Sequence, residues 1–372
     1  MTDKIKLPLI VSLTLVFLFI WLAYHMLTEF RNYLYPLTLG GLFAYLLYPM
    51  ANFFEQKRVP RIFANILSIL IGISTVSAVG FFLYKQMGLF LEDLPGLQNT
   101  AIHNINIIFA NITQTTGIKT PELKEQVKIL AGNLLNLNNF NFKNTFSTTF
   151  QTIFTFGIMP VYVFFLLFYR NKFKEFMLML VAEGKHAVTV RIIEEINQVS
   201  IHYMTGVFKV VGILIVLNST GFLIIGLKHA LLLGLLAALM NFIPYYGTII
   251  GYFFPLFIAI FTMNSPTYAL LVFLQFIVVQ FTENNILTPN IVGAHVNINP
   301  FMIILSITLG GFIWGLPGMF IAVPVAAILR VLGENIPGLA PVGYLLGSSG
   351  AEEHNVTLEK MSRLFKRFTK KS

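Results

Sequence analysis

Apolar residues run along this chain in long blocks separated by short polar punctuation, a pattern set by membrane thickness and not by a water-facing core. A hydrocarbon core of about 30 Å takes about 20 apolar residues of helix. Residues 7–27 supply the first block, behind Lys4 and Lys6. The block exceeds a signal-peptide core and no small-x-small cleavage pattern follows, so it reads as a retained span. Residues 32–54 are uncharged but interrupted by Pro36, Gly40, Gly41 and Pro49, which predicts a second, bent span. Residues 62–84, 150–169 and 210–227 predict a third, fourth and fifth. Residues 229–282 are 54 positions without formal charge, room for two more, and residues 301–329 hold one long span or two short half-helices. The simplest total is eight. The expected fold class is therefore all-α, a polytopic membrane protein of about eight transmembrane helices with broken or re-entrant helices in its C-terminal half.

Two stretches carry the period of amphipathic helices instead. Residues 85–149 are polar and asparagine-rich, with Leu123, Val127, Leu130 and Leu134 at helical spacing. They predict short helices on the outer surface and a loop at 138–144, or else a flexible tether. Residues 187–203 place Ile192, Ile196, Val199 and Tyr203 on one stripe and Arg191, Glu194, Glu195 and Gln198 elsewhere, the pattern of a helix lying at the inner interface. The organisation that follows is a three-helix membrane segment (1–84), an extracytoplasmic segment (85–149), a transport core (150–346) with its interfacial helix at 187–203, and a basic cytoplasmic tail (347–372).

Composition confirms the class: 56% of residues are hydrophobic and 11% charged, against about 25% charged in soluble domains. Cysteine is absent, which excludes disulfides, thiolate metal sites and cysteine nucleophiles. The net charge of +9 reports orientation before it reports any acidic partner such as nucleic acid. The amino end, the loop with Lys57, Arg58 and Arg61, the six basic residues from Arg170 to Lys209, and the seven beyond Leu329 all fall on one side if the count is eight. That side is expected to be the cytoplasm, with both termini there, in a bacterial inner membrane. The loops left outside are 28–31, 85–149, the Lys228-His229 turn and 285–300. Membrane lipids are the first partner, the tail basic enough to meet anionic headgroups.

Between Val210 and Leu329, 120 residues, only Lys228 and Glu283 are charged. A carboxylate at mid-membrane costs about 2.5–3.5 kcal/mol on insertion scales, so Glu283 must be paired, protonated or facing water. On a helix it shares a face with Gln280, Asn284 and Leu287, and Pro289 is expected to stop that helix and free carbonyls beside it. This is a candidate cation or proton site; the alternative is an anchor at the outer interface. Asn241-Phe242-Ile243-Pro244-Tyr245-Tyr246-Gly247 is the second feature. A proline there frees a carbonyl near Met240, and Asn241, Tyr245 and Tyr246 would offer hydrogen bonds at the break, as at transporter substrate sites. Gly310-Gly311, Gly315, Pro317-Gly318 and Pro324 are expected to interrupt the last span in the same way. Gly247 with Gly251 permits close helix approach and makes a homo-oligomer the expected assembly. Neither a phosphate loop nor a metal-binding or nucleophile-elbow motif occurs, so no cofactor or metal is expected and an enzyme is poorly supported.

These residues also carry a family resemblance. Gln280-Phe281-Thr282-Glu283-Asn284-Asn285-Ile286-Leu287-Thr288-Pro289, then Ile291-Val292-Gly293 and Asn299-Pro300, resembles the signature of the autoinducer-2 exporter family of bacterial membrane permeases. So do Ile243-Pro244-Tyr245-Tyr246-Gly247, Gly310-Gly311 through Gly315-Leu316-Pro317-Gly318-Met319 to Pro324, and Tyr203-Met204-Thr205-Gly206, in order over nearly the whole chain. The resemblance implies about eight helices with a long extracytoplasmic segment between the third and fourth. It also implies export of autoinducer-2, as assigned to some members, or sodium or lithium exchange for protons, as assigned to others. Thr205 and Val207 stand where many relatives have arginine and glutamine, Thr248 replaces a common proline, and Ala294 a common basic residue. The readings carried forward are a permease for a small polar solute such as autoinducer-2, a cation-proton antiporter working through Glu283, and a non-transporting membrane scaffold.

Overall fold

The computed structural model describes residues 9–117, 121–135, 149–263, 265–292 and 297–348; the basic tail, the loop at 138–144, Ala294 and His295 fall outside these. Helices account for nearly all of the described chain, and it is all-α. Five helices are long and apolar enough to cross a membrane, Arg31–Gln56, Arg61–Thr116, Glu183–Ile225, Pro266–Ile291 and Leu316–Asn335, and shorter apolar helices pack among them. The protein is a polytopic membrane protein.

Helix α1 (Leu9–Glu29) turns at Phe30 into α2 (Arg31–Gln56), which runs as one helix with Pro36 and Pro49 inside it. Val59-Pro60 then forces an extended step, because the proline ring clashes with a helical residue before it. The helix after it, α3 (Arg61–Thr116), runs for 56 residues to a left-handed Gly117. This corrects the expectation for the stretch after residue 84: the third helix does not end there but continues unbroken for about nine more turns. Pro95 lies inside this stretch without ending the helix, and Leu94, Leu97, Ala101 and Ile105 bury a face three and four residues apart. Helix α4 (Pro121–Leu135) is helical where the 123–134 stripe predicts it. Of that stripe Val127 packs inward beside Ala131, while Leu123 and Leu130 are more than half exposed.

Helix α5 (Thr149–Phe168) lies along α2, with a Cβ at Gly40 lying 3.0 Å from Tyr162 Cβ. Helix α6 (Arg170–Met179) leads to α7 (His186–Ile225). The interfacial helix expected at 187–203 is not separate: it is the first half of α7, whose 40 residues extend through the fifth span. The stripe packs inward, with Val199, Tyr203, Met204, Val210, Val211 and Leu214 joining Ile321, Val323, Ala327 and Val331 from the last long helix in one core.

Two ends of the bundle can be told apart by their polar contacts. At the lower end Glu55 binds Arg170 at 2.5 Å and lies 3.6 Å from Arg61, and Lys174 of α6 binds Glu194 of α7 at 3.1 Å. At the upper end Asp93 of α3 lies 2.9 Å from Lys228 and 3.0 Å from His229, just after α7. From there the uncharged stretch does not form two spans. Helix α8 (Ala230–Met240) descends only 11 residues, the chain turns at 241–245, and α9 (Tyr246–Thr262) climbs back. Asn104 on the upper part of α3 donates to the carbonyls of Phe261 and Met263 at 3.0 and 3.1 Å, so both ends of this hairpin lie at the upper end. Helix α10 (Pro266–Thr282) starts from a Ser265 cap and descends, continuing through a π turn (Glu283–Leu287) into α11 (Thr288–Ile291). Ile291 and Val292 lie against Gly206 of α7.

The last block resolves as two helices. Helix α12 (Pro300–Trp314) is capped by the Asn299 side chain and rises to Gly315, whose φ of 64° and ψ of −140° suit only glycine. Helix α13 (Leu316–Asn335) returns, and its Asn335 donates to Glu195 of α7 at the lower end. Near the turn Gly310 and Gly318 face each other so closely that a Cβ on either would fall on the other's carbonyl. Three expected breaks are therefore corrected. Gly311 lies inside α12 against Met319, Gly318 lies inside α13 as a contact surface, and Pro324 lies buried within an unbroken α13. Pro317 opens α13, where its missing N–H costs nothing, and Gly315 makes the turn. A short α14 (Ala340–Leu346) folds back so that Leu346 O accepts from Asn299 N at 2.8 Å. Of residues 285–300, expected on the side opposite the basic loops, the described ones, 285–292 and 297–300, thus join the same end as Arg61 and Arg170.

Candidate functional site

The site forms where the tip of the α8–α9 hairpin meets the lower third of α10. Local chemistry makes the tip. Pro244 cannot continue a helix, Tyr245 takes a left-handed φ of 65°, and α9 restarts at Tyr246. Gly247 is buried against the end of α8, where a Cβ would land on the Met240 carbonyl; at Gly251 a Cβ would come within 2.8 Å of the Ala237 carbonyl. These two glycines let the hairpin close. Phe242 then wedges the tip into the bundle, its ring 4.9 Å from Phe208 of α7 and 5.7 Å from Phe320 of α13.

Anchored in this way, Asn241 donates its side-chain amide to Glu283 Oε1 at 2.5 Å. Gln280, one turn earlier on α10, has its amide within electrostatic reach of that carboxylate. Glu283 is half-buried and opens the π turn. The cause of the turn lies six residues on. Pro289 offers no N–H and its ring would collide with the carbonyl four residues back, so the chain widens there. The Thr288 N–H reaches the Glu283 carbonyl instead. The expectation that Pro289 stops the helix is corrected: the helix survives as a π turn. A π turn inside a membrane helix frees the local backbone pairing and re-aims the side chains on either side of it.

Of the six residues expected on a path, Asn241, Gln280 and Glu283 meet. Asn284 is exposed on the outside of the π turn, and Tyr245 and Tyr246 at the tip are 48% and 43% exposed, directed away from the bundle core. The reading of Glu283 as an outer-interface anchor does not fit, because 17 residues of α10, about 25 Å of rise, separate it from the upper end. Among the described residues no basic side chain pairs with it. Its neighbours are amides, and an aromatic hydroxyl, that of Tyr252 on α9, lies within its electrostatic reach.

Tyr252 belongs to a second polar layer that sequence reasoning missed. Its hydroxyl donates to Asn218 Oδ1 of α7, and Gln275 Nε2 of α10 donates to the Asn218 carbonyl at 3.2 Å. Asn218 is 2% exposed and Tyr252 8%. The signal was present: Gln275 and Tyr252 are single polar groups inside apolar runs and Asn218 opens the short polar run Asn218-Ser219-Thr220 of an uncharged block, where lipid offers no partner and another helix must.

A bundle of apolar helices, a hairpin that enters and leaves by one end, and a carboxylate held by amides at its tip together define a membrane transport protein. The chain belongs to the AI-2E family of transporters, whose family model matches residues 9–338. Similar curated proteins include YueF of Bacillus subtilis (strain 168), 26% identical over 81% of this chain and 84% of its own length, and YrrI of the same organism, 27% identical over 80% and 84%. Both are assigned to transport only provisionally. The AI-2 transport protein TqsA of Escherichia coli (strain K12) is 26% identical over 85% of this chain and 90% of its own length.

Proposed function

We propose that this protein is a secondary permease that exports a small polar solute such as autoinducer-2, and that it is a transporter without catalytic chemistry. The observation that carries the reading is the Asn241–Glu283 contact: the only formally charged side chain in the lower half of a 120-residue apolar region is held by the tip of a re-entrant hairpin. Broken helices that meet inside a bundle leave backbone and amide groups free for a solute, which is how transporters bind at the midplane. The kinship with TqsA supports autoinducer-2 as the first solute to try.

A second reading, sodium or lithium exchange for protons, is favoured by one specific feature. Glu283 has an amide partner and, among the described residues, no basic one, so a proton or a small cation can be exchanged there without breaking an ion pair. The protein sits in the bacterial inner membrane with both termini in the cytoplasm, because the lower end carries Lys57, Arg58, Arg61 and the basic residues from Arg170 to Lys209. On this reading eight helices cross, α1, α2, α3, α5, α7, α10–α11, α12 and α13, and the α8–α9 hairpin enters from the outside. Lipid covers the exposed apolar faces, and the upper arm of α3 with α4 offers a surface for assembly as a homo-oligomer. Nucleic acid has no role.

The test is flux in proteoliposomes. Wild-type protein is expected to move autoinducer-2 or to shift internal pH on sodium addition, and Glu283→Gln to lose at least tenfold of that activity while remaining folded. Wild-type flux retained in Glu283→Gln refutes the role of the carboxylate. A scaffold, by contrast, keeps its function in Glu283→Gln and loses it when residues 86–144 are removed.

A further inference from the structure

We infer that Asn218, Tyr252 and Gln275 form a second station on the transport path, a neutral site that takes a hydroxylated solute by hydrogen bonding. The inference rests on the permease reading above and extends it to residues of α7, α9 and α10.

The first observation is an unspent acceptor. Gln275 donates through Nε2 to the Asn218 carbonyl, while its Oε1 is buried with no partner among the described groups. A buried amide oxygen without a donor costs about 1–3 kcal/mol. In an apolar bundle such a group is retained where something brings the donor.

The second observation is that the space for this amide is made by glycine. Gln275 lies directly over Gly221 of α7, where any Cβ would overlap its amide carbon and nitrogen. Gly234 of α8 lets the backbone of α7 approach at Ser219. The contact at Gly221 is thus shaped around the Gln275 amide, although an apolar residue in its place would pack without an orphan group.

The third observation is position. Gln275 precedes Glu283 by eight residues on α10, about 12 Å of rise, toward the upper end. Between the two layers stands Tyr252, bonded to Asn218 and within electrostatic reach of Glu283. A solute leaving the Asn241–Glu283 layer for the upper end meets this layer next.

Charge decides the class of ligand. Asn218, Ser219, Tyr252 and Gln275 carry no formal charge, and a dehydrated cation among them would lack the counter-charge that a buried ion requires. A neutral polyol brings hydroxyl donors for Gln275 Oε1 and acceptors for the phenol and amide, and brings no charge. The two layers therefore divide the work: the lower one tolerates a cation or proton, the upper one selects for hydroxyls.

The experiment uses full-length protein in proteoliposomes with autoinducer-2 and radiolabelled sodium as probes, comparing wild type, Glu283→Gln, Gln275→Leu and Tyr252→Phe. Gln275→Leu is expected to raise the half-saturating autoinducer-2 concentration at least tenfold and to leave any sodium-driven pH change within twofold of wild type. Tyr252→Phe keeps the ring and its packing and is expected to act in the same direction by at least threefold, which serves where Gln275→Leu fails to fold. Wild-type half-saturation in a folded Gln275→Leu, or in Tyr252→Phe if the former is unfolded, overturns the second station. An equal fall in maximal rate for both probes at unchanged half-saturation marks a merely structural role and overturns it as well. Failure of the permease reading is separate: it is seen as absent autoinducer-2 flux in wild type, or as unchanged flux in Glu283→Gln.

Discussion

Truncating Asn241 to alanine removes the one contact that ties the hairpin tip to the carboxylate of α10. A hydrogen bond to a charged group contributes about 1.5–3 kcal/mol net. Glu283 is only half-buried, and Gln280 lies beside it, so the value falls to the bottom of that range and into that of an ordinary hydrogen bond, about 1–2 kcal/mol. At about 1.4 kcal/mol per decade, an equilibrium that requires the tip to be docked shifts about 5- to 30-fold. The assay is a double-mutant cycle on unfolding free energy in mixed detergent micelles, with Asn241→Ala, Glu283→Ala and the pair. A coupling of about 1–2 kcal/mol is expected, because each single change removes the same bond. Independent sites add to within about 0.3–0.5 kcal/mol, so a coupling inside that scatter refutes the docking of the tip on Glu283. Flux on the same variants should follow the coupling, with the double mutant no worse than the worse single.

Two further outcomes follow from the same geometry. Pro289→Ala restores an N–H and removes the collision that widens the helix, so the π turn should revert to α-helix, gaining about 1 kcal/mol from the recovered bond; flux should nevertheless fall, since closing the turn rotates Glu283 relative to Val292 and its seat on Gly206, and a more stable variant with full flux would contradict that. At the upper end, beyond the apolar part of α3, the hydrogen bond from Lys228 and the charges of Lys228 and His229 hold the Asp93 carboxyl below its ordinary value of 3.8. A lowered carboxylate contributes stability that is complete above the unfolded value and is lost as pH falls through the native one. Amide exchange in 230–240 is therefore expected to accelerate in acid below that window, and Asp93→Asn to remove the acid-dependent part; an identical acid response in the variant would show that the latch is made elsewhere.

Membrane class and most span positions could be read from the apolar blocks because lipid imposes a single length on every crossing. Continuity could not be read in the same way. The junctions at residues 84 and 204 separate apolar from polar composition, yet α3 and α7 pass straight through them, because a backbone helix needs no change when its surroundings turn from lipid to water. Composition marks where the bilayer ends, and only glycine or proline geometry marks where a helix ends. Gly117 and Gly226, both left-handed, are those true ends.

The C-terminal half is divided differently from what its block lengths suggest. Residues 229–282 have the length of two spans, but Pro244 and Tyr245 turn the chain back after 11 residues, so α8 and α9 form a hairpin and α10–α11 is the one long helix of the block. Residues 301–329 have the length of one long span or two half-helices, and Gly315 divides the block into α12 and α13. Charge could not arbitrate between these arrangements, since Lys228 and Glu283 are the only formal charges between Val210 and Leu329 and the segment 285–300 carries none. Glycine and proline therefore decide the topology of this half, and they also decide the chemistry. By sending α8–α9 back to the upper end, they bring Asn241 to Glu283 and place residues 285–292 beneath them. Had the block at 229–282 formed two spans, its midpoint would have been a loop on the lower surface, and the carboxylate would have faced the outer headgroups with no amide to hold it.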